Sequence, residues 1–336
     1  MQSNVISSRH TIQQQVVIAD GKLKDLPSKD VNRRLLKALL EYAPTTEGKE
    51  VIASDIIAAS EEEDGLTQLA RFYTTGLILP LKGGGRTPQV SFHSSQDIEI
   101  KSTADDIAVD LEAAKRDQTL KEQTLHRDGY RCVVTRRPEE STISLCPDFD
   151  PRGGAFNTIA AHILPFSLMS IDNNKALFKK ATIWAVIESF TNIKFAELSG
   201  DNFNSLTNVI TLDGGVHHFF GQLKVWFEAV SDKPTTYIFR KSKEYLLGDI
   251  VNDGDKVTFA SVDPHLYPLP DRRYLTLHAA VAKVVHMAGM AEYLDDLTRE
   301  YENIRVLSDE SHAEYLDGLL RIAQRSALVT TSQDEK

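Results

Sequence analysis

The side chains best suited to chemistry in this 336-residue chain fall in three short segments. The first is Arg127-Asp128-Gly129-Tyr130-Arg131-Cys132-Val133-Val134-Thr135, which mixes cations with a thiol. The second, Ala160-Ala161-His162-Ile163-Leu164-Pro165, sets one histidine after an apolar run. The third runs Asn208-Val209-Ile210-Thr211-Leu212, then Asp213-Gly214-Gly215, then His217-His218-Phe219-Phe220. A histidine titrates near neutrality, so it can act as a general base or, when neutral, as a metal ligand. A carboxylate such as Asp213 or Asp172 can join it around a divalent cation. Singly, none of these residues is diagnostic, because a histidine beside apolar residues is usually a packed one.

These residues need elements to position them. Thr158 to Ile163 reads as a short apolar strand, and Asn208 to Leu212 as a second strand of alternating character. Asp213-Gly214-Gly215 reads as a turn able to cap a following helix. Val216 to Val230 then reads as one amphipathic helix, with Phe219, Phe220, Trp226 and Phe227 on its core side. Upstream, Val31 to Tyr42, Val51 to Ala59 and Leu66 to Leu79 have helical spacing, whereas residues 1 to 22 read as a strand or as loose chain. Glu61 to Asp64 forms an acidic run expected in solvent. Gly83-Gly84-Gly85-Arg86-Thr87-Pro88 is the strongest break and reads as a linker, since no Lys-Ser/Thr helix start follows it. Helices are expected again over 105–127, Asn174 to Phe190 and Arg273 to Met290, with an acidic amphipathic stretch from Glu292 to Leu320.

Composition bounds the function. The net charge is −10, which excludes a protein that coats nucleic acid with its whole surface. A local basic surface remains open: Glu112 to Arg137 holds seven Lys/Arg against four Asp/Glu. Only two cysteines are present, so a disulfide framework and a four-cysteine zinc site are excluded. Cys132 has Thr135 three positions on, and reads as a small buried apolar residue. The start lacks an apolar signal core, and no run is long and apolar enough for a membrane helix. The expected location is intracellular, in cytoplasm or nucleus.

The three segments together resemble the HNH endonuclease family, in a branch with an Ala-His-Ile-x-Pro motif similar to fungal HNH-domain proteins. The resemblance is best over 125–230 and extends more weakly through Tyr237 to Arg240 and Arg272 to Tyr293. It implies an α+β fold, mainly helical, with a central ββα core: two strands packed on a helix and clasping one divalent metal. It divides the chain into an N-terminal helical region of unknown role (1–104), an HNH nuclease-like domain (105–230) and a C-terminal helical extension packing on that core (231–330). It implies hydrolysis of DNA phosphodiester bonds by an HNH-type endonuclease. His162 maps to the general base, and Asn208 to the residue that fixes the loop and the base. His217 maps to a metal ligand, with His218 and Asp213 able to complete the sphere. The implied cofactor is a divalent metal, magnesium first, with manganese, nickel or zinc as alternatives. Arg131, Arg136 and Arg137 would contact the DNA backbone.

The chain also departs from that pattern. Many members carry a metal-binding Asp, Glu or His just before the base, where this chain has Ala161. Another ligand often lies one helical turn after the last histidine, where this chain has Gly221. The expectation therefore has a rival: a catalytically inactive HNH-fold module that binds nucleic acid or a protein partner. An enzyme acting on RNA is a third reading.

Overall fold

The computed structural model describes residues 2–82, 118–146, 148, 150, 154–165, 168, 174–198 and 200–294. The break at 83–88, the first part of the expected 105–127 helix, Asp172 and the stretch beyond 294 lie outside the described residues. In chain order the elements are α1 (Gln2–Lys22), α2 (Val31–Tyr42), α3 (Thr46–Ala59), α4 (Gly65–Tyr73) and α5 (118–127). Strand β1 (Thr158–His162) and α6 (Asn174–Thr191) follow, then β2 (Val209–Asp213) and α7 (Gly214–Gly221). Strands β3 (Val225–Ala229), β4 (Thr236–Lys241) and β5 (Lys256–Thr258) precede α8 (Arg272–Met287). The fold is thus α+β and mainly helical, with two small antiparallel sheets.

The chain forms two compact units. The first comprises residues 1–82, 168–197 and 279–336. Its described core is helical. Asp30 starts α2 by accepting from the Asn32 and Arg33 amides, and Thr45 starts α3 by accepting from the Gly48 amide. Leu35, Leu36 and Leu39 of α2 meet Ile52 and Ile56 of α3 in a buried layer. Phe190 of α6 is fully buried, and its carbonyl lies so near Gly48 that a side chain there would collide with it. Residues 2–22 form a helix rather than a strand, and Ala19 at its end is buried. The apolar positions of that helix lack an amphipathic period, so helical spacing does not announce it. The acidic run Glu61–Asp64 is the exposed connection between α3 and α4.

The second unit comprises residues 83–167 and 198–278. Strands β1 and β2 pair antiparallel, with Thr158 opposite Asp213 and His162 opposite Val209. Helix α7 packs on both. Asp213 ends β2 and caps α7, its Oδ1 accepting from the Val216 amide at 2.9 Å. The expected helix over 216–230 ends early, at Gly221. Leu223 adopts φ +57°, and residues 225–229 become β3, paired with β4. Val225, Trp226 and Phe227 are β-branched or aromatic and suit a strand, while the left-handed Leu223, just past the Gln222 cap, turns the chain out of the helix. Spacing alone cannot separate these readings, because two short apolar clusters seven residues apart satisfy the helical period. Phe227 is fully buried and meets Phe220, Phe239 and Phe259.

His278 in α8 closes this core. It is 2% exposed, stacks on Phe220 at 3.8 Å between ring centroids, and pairs Nε2 with the Phe220 carbonyl at 3.1 Å. Its Nδ1 has no partner among the described residues. Burial pushes its pKa down to about 4, against a smaller opposing pull from the carbonyl. The unfolded chain takes up a proton near pH 6.5, which the folded chain refuses until about pH 4. Stability from this residue is therefore complete above about pH 6.5 and is lost as pH falls toward 4, by about 3 kcal/mol in all. Urea unfolding between pH 7 and pH 4.5 reads this. His278→Gln, which keeps a donor for the carbonyl but does not titrate, is expected to flatten the pH slope by that amount. Equal slopes in both proteins would refute the assignment.

Candidate functional site

His162 is the last residue of β1, where the strand leaves its partner. Ala161 before it is 1% exposed, so strand alternation sends Ala161 into the core and leaves His162 half-buried on the other face. Its Nε2 lies 2.9 Å from Asn204 Oδ1, and its ring stacks on Phe203 at 5.5 Å with 15° between planes. Two neighbours from the turn before β2 therefore fix the ring.

Asn208 is fully buried and bonds only with backbone. Its Oδ1 accepts from the Leu164 amide at 3.0 Å, and its Nδ2 donates to the carbonyls of Leu164 and Phe203, each at 3.2 Å. Its own carbonyl accepts from the Ile163 amide at 2.8 Å. One side chain thus ties the chain leaving His162 to the chain entering β2. It also holds Phe203, on which His162 stacks.

His217 sits in the first turn of α7 and is half-buried, while His218 beside it is exposed. Burial lowers the His217 pKa, and the charges of His218 and His162 lower it further. His162 and His217 thus lie close enough to feel each other, although one comes from a strand and the other from a helix. Asp213 is buried with both oxygens engaged: Oδ1 caps α7, and Oδ2 accepts from the Thr135 hydroxyl at 2.8 Å.

The three arginines diverge. Arg131 Nη1 donates to the Arg136 carbonyl at 3.0 Å. Arg137 lies over the Phe156 ring at 4.1 Å. Arg136 is exposed. All three belong to a tight turn in which Cys132 N donates to Arg137 O and Arg136 N to Cys132 O. Val133 N donates to Thr211 O and joins that turn to β2. Cys132 is fully buried and its thiol pKa is raised, mainly by burial, as a small core residue requires.

Several supporting residues belong to no motif of the sequence. Asn204 and Phe203 hold His162. Glu139 pins the start of β1, its Oε2 accepting from both the amide and the hydroxyl of Thr158 at 2.6 Å. Burial raises the Glu139 pKa, but the Thr158 donors and Lys121 outweigh it and leave it lowered. Thr135, Arg127 and Asp128 do lie in the first motif segment, but in roles their types do not announce. Thr135 holds Asp213, and Arg127 with Asp128 forms a buried ion pair behind β2. The only sequence signal for Asn204 is its place four residues before Asn208.

Among the described residues no three His, Cys, Asp or Glu side chains gather into a metal-binding group. The candidate donors are the imidazoles of His217 and His218; Asp213 pairs with Thr158 at the far end of β1 from His162, and both its oxygens are engaged. That set fits a loosely held, largely hydrated divalent ion, as magnesium permits, rather than a tightly bound zinc.

Residues 132–228 match a family model described as HNH endonuclease. No curated protein and no solved structure matches the chain. The matched span contains β1, α6, β2, α7 and all but the last residue of β3, and with them His162, Asn208, Asp213, His217 and His218. No helix among the described residues is long and apolar enough to cross a membrane. The segment that builds this strand–strand–helix site is thus similar to the HNH endonuclease family.

Proposed function

We infer that this protein is a divalent-metal-dependent endonuclease that hydrolyses DNA phosphodiester bonds, with His162 as general base. One arrangement carries the reading: the matched span sets His162 at the end of β1 and His217 in the first turn of α7, the helix that packs on β1 and β2. Asn204 Oδ1 can only accept, so it keeps a proton of His162 on Nε2, and in this reading Nδ1 is the atom that meets the attacking water. His162 takes the proton of that water as it attacks phosphorus in line with the leaving 3′ oxygen. A divalent ion, magnesium first and otherwise manganese, nickel or zinc, would stabilise the charge on the phosphoryl and leaving oxygens. His217 would hold it, with His218 and Asp213 as further donors. Asn208 serves the site by positioning the His162 loop. Arg131, Arg136 and Arg137 supply cations for the DNA backbone. The two cysteines are buried free thiols, which fits an intracellular location, in cytoplasm or nucleus.

One observation favours the rival. The side chain before the base is a buried alanine, at the position where many family members carry a ligand. A module that binds nucleic acid or protein without cutting would need no ligand there. Plasmid nicking by the full chain with each metal, beside His162→Ala and His217→Ala, separates the two. The nuclease reading expects wild type to nick and His162→Ala to lose roughly 10²–10⁴-fold. Equal trace activity of all three proteins under every metal would overturn it in favour of the binding module.

A further inference from the structure

A second site lies in the same unit, away from the histidines. A cleft of about 380 Å³ opens between the tight turn that follows Arg131 and the chain that continues from β5, residues 256–262. Its charge is lopsided. Arg127 and Asp128 reach it, but they neutralise each other as a buried pair. That leaves Arg136 on one wall and Lys256 on the other, both exposed and neither with an ion-pair partner among the described residues. In a chain of net charge −10, two unpaired cations facing one cleft are a local exception.

The backbone adds to this. Strand β5 is the outer strand of its sheet. Phe239 N donates to Asp255 O and Phe259 N donates to Thr235 O, so alternate residues of this stretch face β4. The intervening Lys256 and Thr258 turn their amides to the open edge, along the cleft. Arg136 itself adopts φ +58°, a left-handed conformation that glycine takes at no steric cost. An arginine kept at such a position, exposed and at the mouth of a cleft, suggests a use for its side chain. Val262, 68% exposed, stands on the Lys256 wall, and Val134 lines the cleft on the Arg136 side. Together they offer an apolar surface beside the cations.

We propose that this cleft is a phosphate-anchored nucleotide subsite, in which Arg136 and Lys256 hold the phosphates of an unpaired stretch of nucleic acid and Val134 and Val262 take a base. The proposal rests on the nucleic-acid reading of the domain but not on cleavage. A base with a free π-face fits an apolar wall of this kind, and phosphate fits paired cations and open amides.

The test is fluorescence anisotropy of the full chain with a labelled single-stranded oligonucleotide in EDTA, over a range of salt. Arg136→Ala with Lys256→Ala is expected to weaken binding about tenfold or more. It should also reduce the slope of log K against log salt by about 1.4, because two phosphates are no longer neutralised. Arg136→Gly is the more pointed variant: relief of the left-handed strain should raise the melting temperature by about 2 °C while binding weakens. Wild-type protein that binds through this cleft but nicks no plasmid under any metal would sink the nuclease reading and leave the subsite standing. Competition by a nucleoside monophosphate would identify a free nucleotide as the ligand and overturn the strand assignment. Its failure, with oligonucleotide binding intact, would support a strand. Unchanged affinity and salt slope in the double variant would overturn the proposal.

Discussion

Replacing Arg127 with methionine is expected to remove about 3–5 kcal/mol from the stability of the second unit, the amount typical of breaking one side of a buried ion pair. The guanidinium is fully satisfied. Nε and Nη2 donate to the two oxygens of Asp128 at 2.8 and 3.0 Å. Nη2 also donates to the Val209 carbonyl at 2.7 Å, and Nη1 to the carbonyls of Leu206 and Pro268 at 2.6 and 3.2 Å. Asp128 Oδ2 in turn accepts from the Thr211 amide at 2.9 Å. Methionine would leave that carboxylate buried without its cation and take this donor from the Val209 and Pro268 carbonyls, while the Leu206 carbonyl keeps the Val209 amide. Lysine would not rescue the site, because an ammonium cannot match the planar fork that serves both carboxylate and carbonyls. The double change Arg127→Met with Asp128→Leu should recover part of the loss, since it removes the orphaned charge. Urea denaturation of the three variants measures this. A loss below about 1 kcal/mol in Arg127→Met would show that water enters and that the pair behaves as a surface one.

This pair also shows what a sequence hides. By type, Arg127 and Asp128 are charged residues in a basic stretch, and such residues read as surface. Their partners lie some eighty positions away in the chain, at Leu206, Val209 and Thr211. Nothing local signals such a contact. The same holds for Thr135 and Asp213, and for Glu139 and Thr158. Local features are legible. Strands β1 and β2 follow from their apolar runs, and the start of α7 follows from Asp213 ahead of two glycines, because a cap acts within three residues. The end of α7 is not legible, since Phe219, Phe220, Trp226 and Phe227 suit a helix stripe as well as two separate elements. Pairing of β3 with β4 decides it, and that is a tertiary fact. Of the site, the histidines can be read from spacing and resemblance. Asn204 and Phe203, which hold the His162 ring, cannot, because neither type is rare and neither makes a pattern.

Asn208→Ala is expected to damage stability and cleavage together, and the order of the losses identifies what Asn208 does. Its amide satisfies one buried donor and two buried acceptors, the Leu164 amide, the Leu164 carbonyl and the Phe203 carbonyl. Each buried group left without a partner costs roughly 1–3 kcal/mol, so a loss on the order of 3 kcal/mol is expected. Asn208→Asp should be no milder, because a carboxylate would face two carbonyl oxygens at the distance where the amide nitrogen now donates. With the Leu164 strap released, His162 and its stacking partner Phe203 lose their common anchor, so nicking should fall even at temperatures where the variant is folded. A positioning role makes a distinct demand: in folded Asn208→Ala, the His162 ring signals should broaden or shift by NMR while those of His278, held by Phe220 instead, stay in place. If nicking collapses while the melting temperature and the His162 signals are unchanged, Asn208 acts on substrate or metal directly. The backbone bonds that define its role here would then be incidental to function.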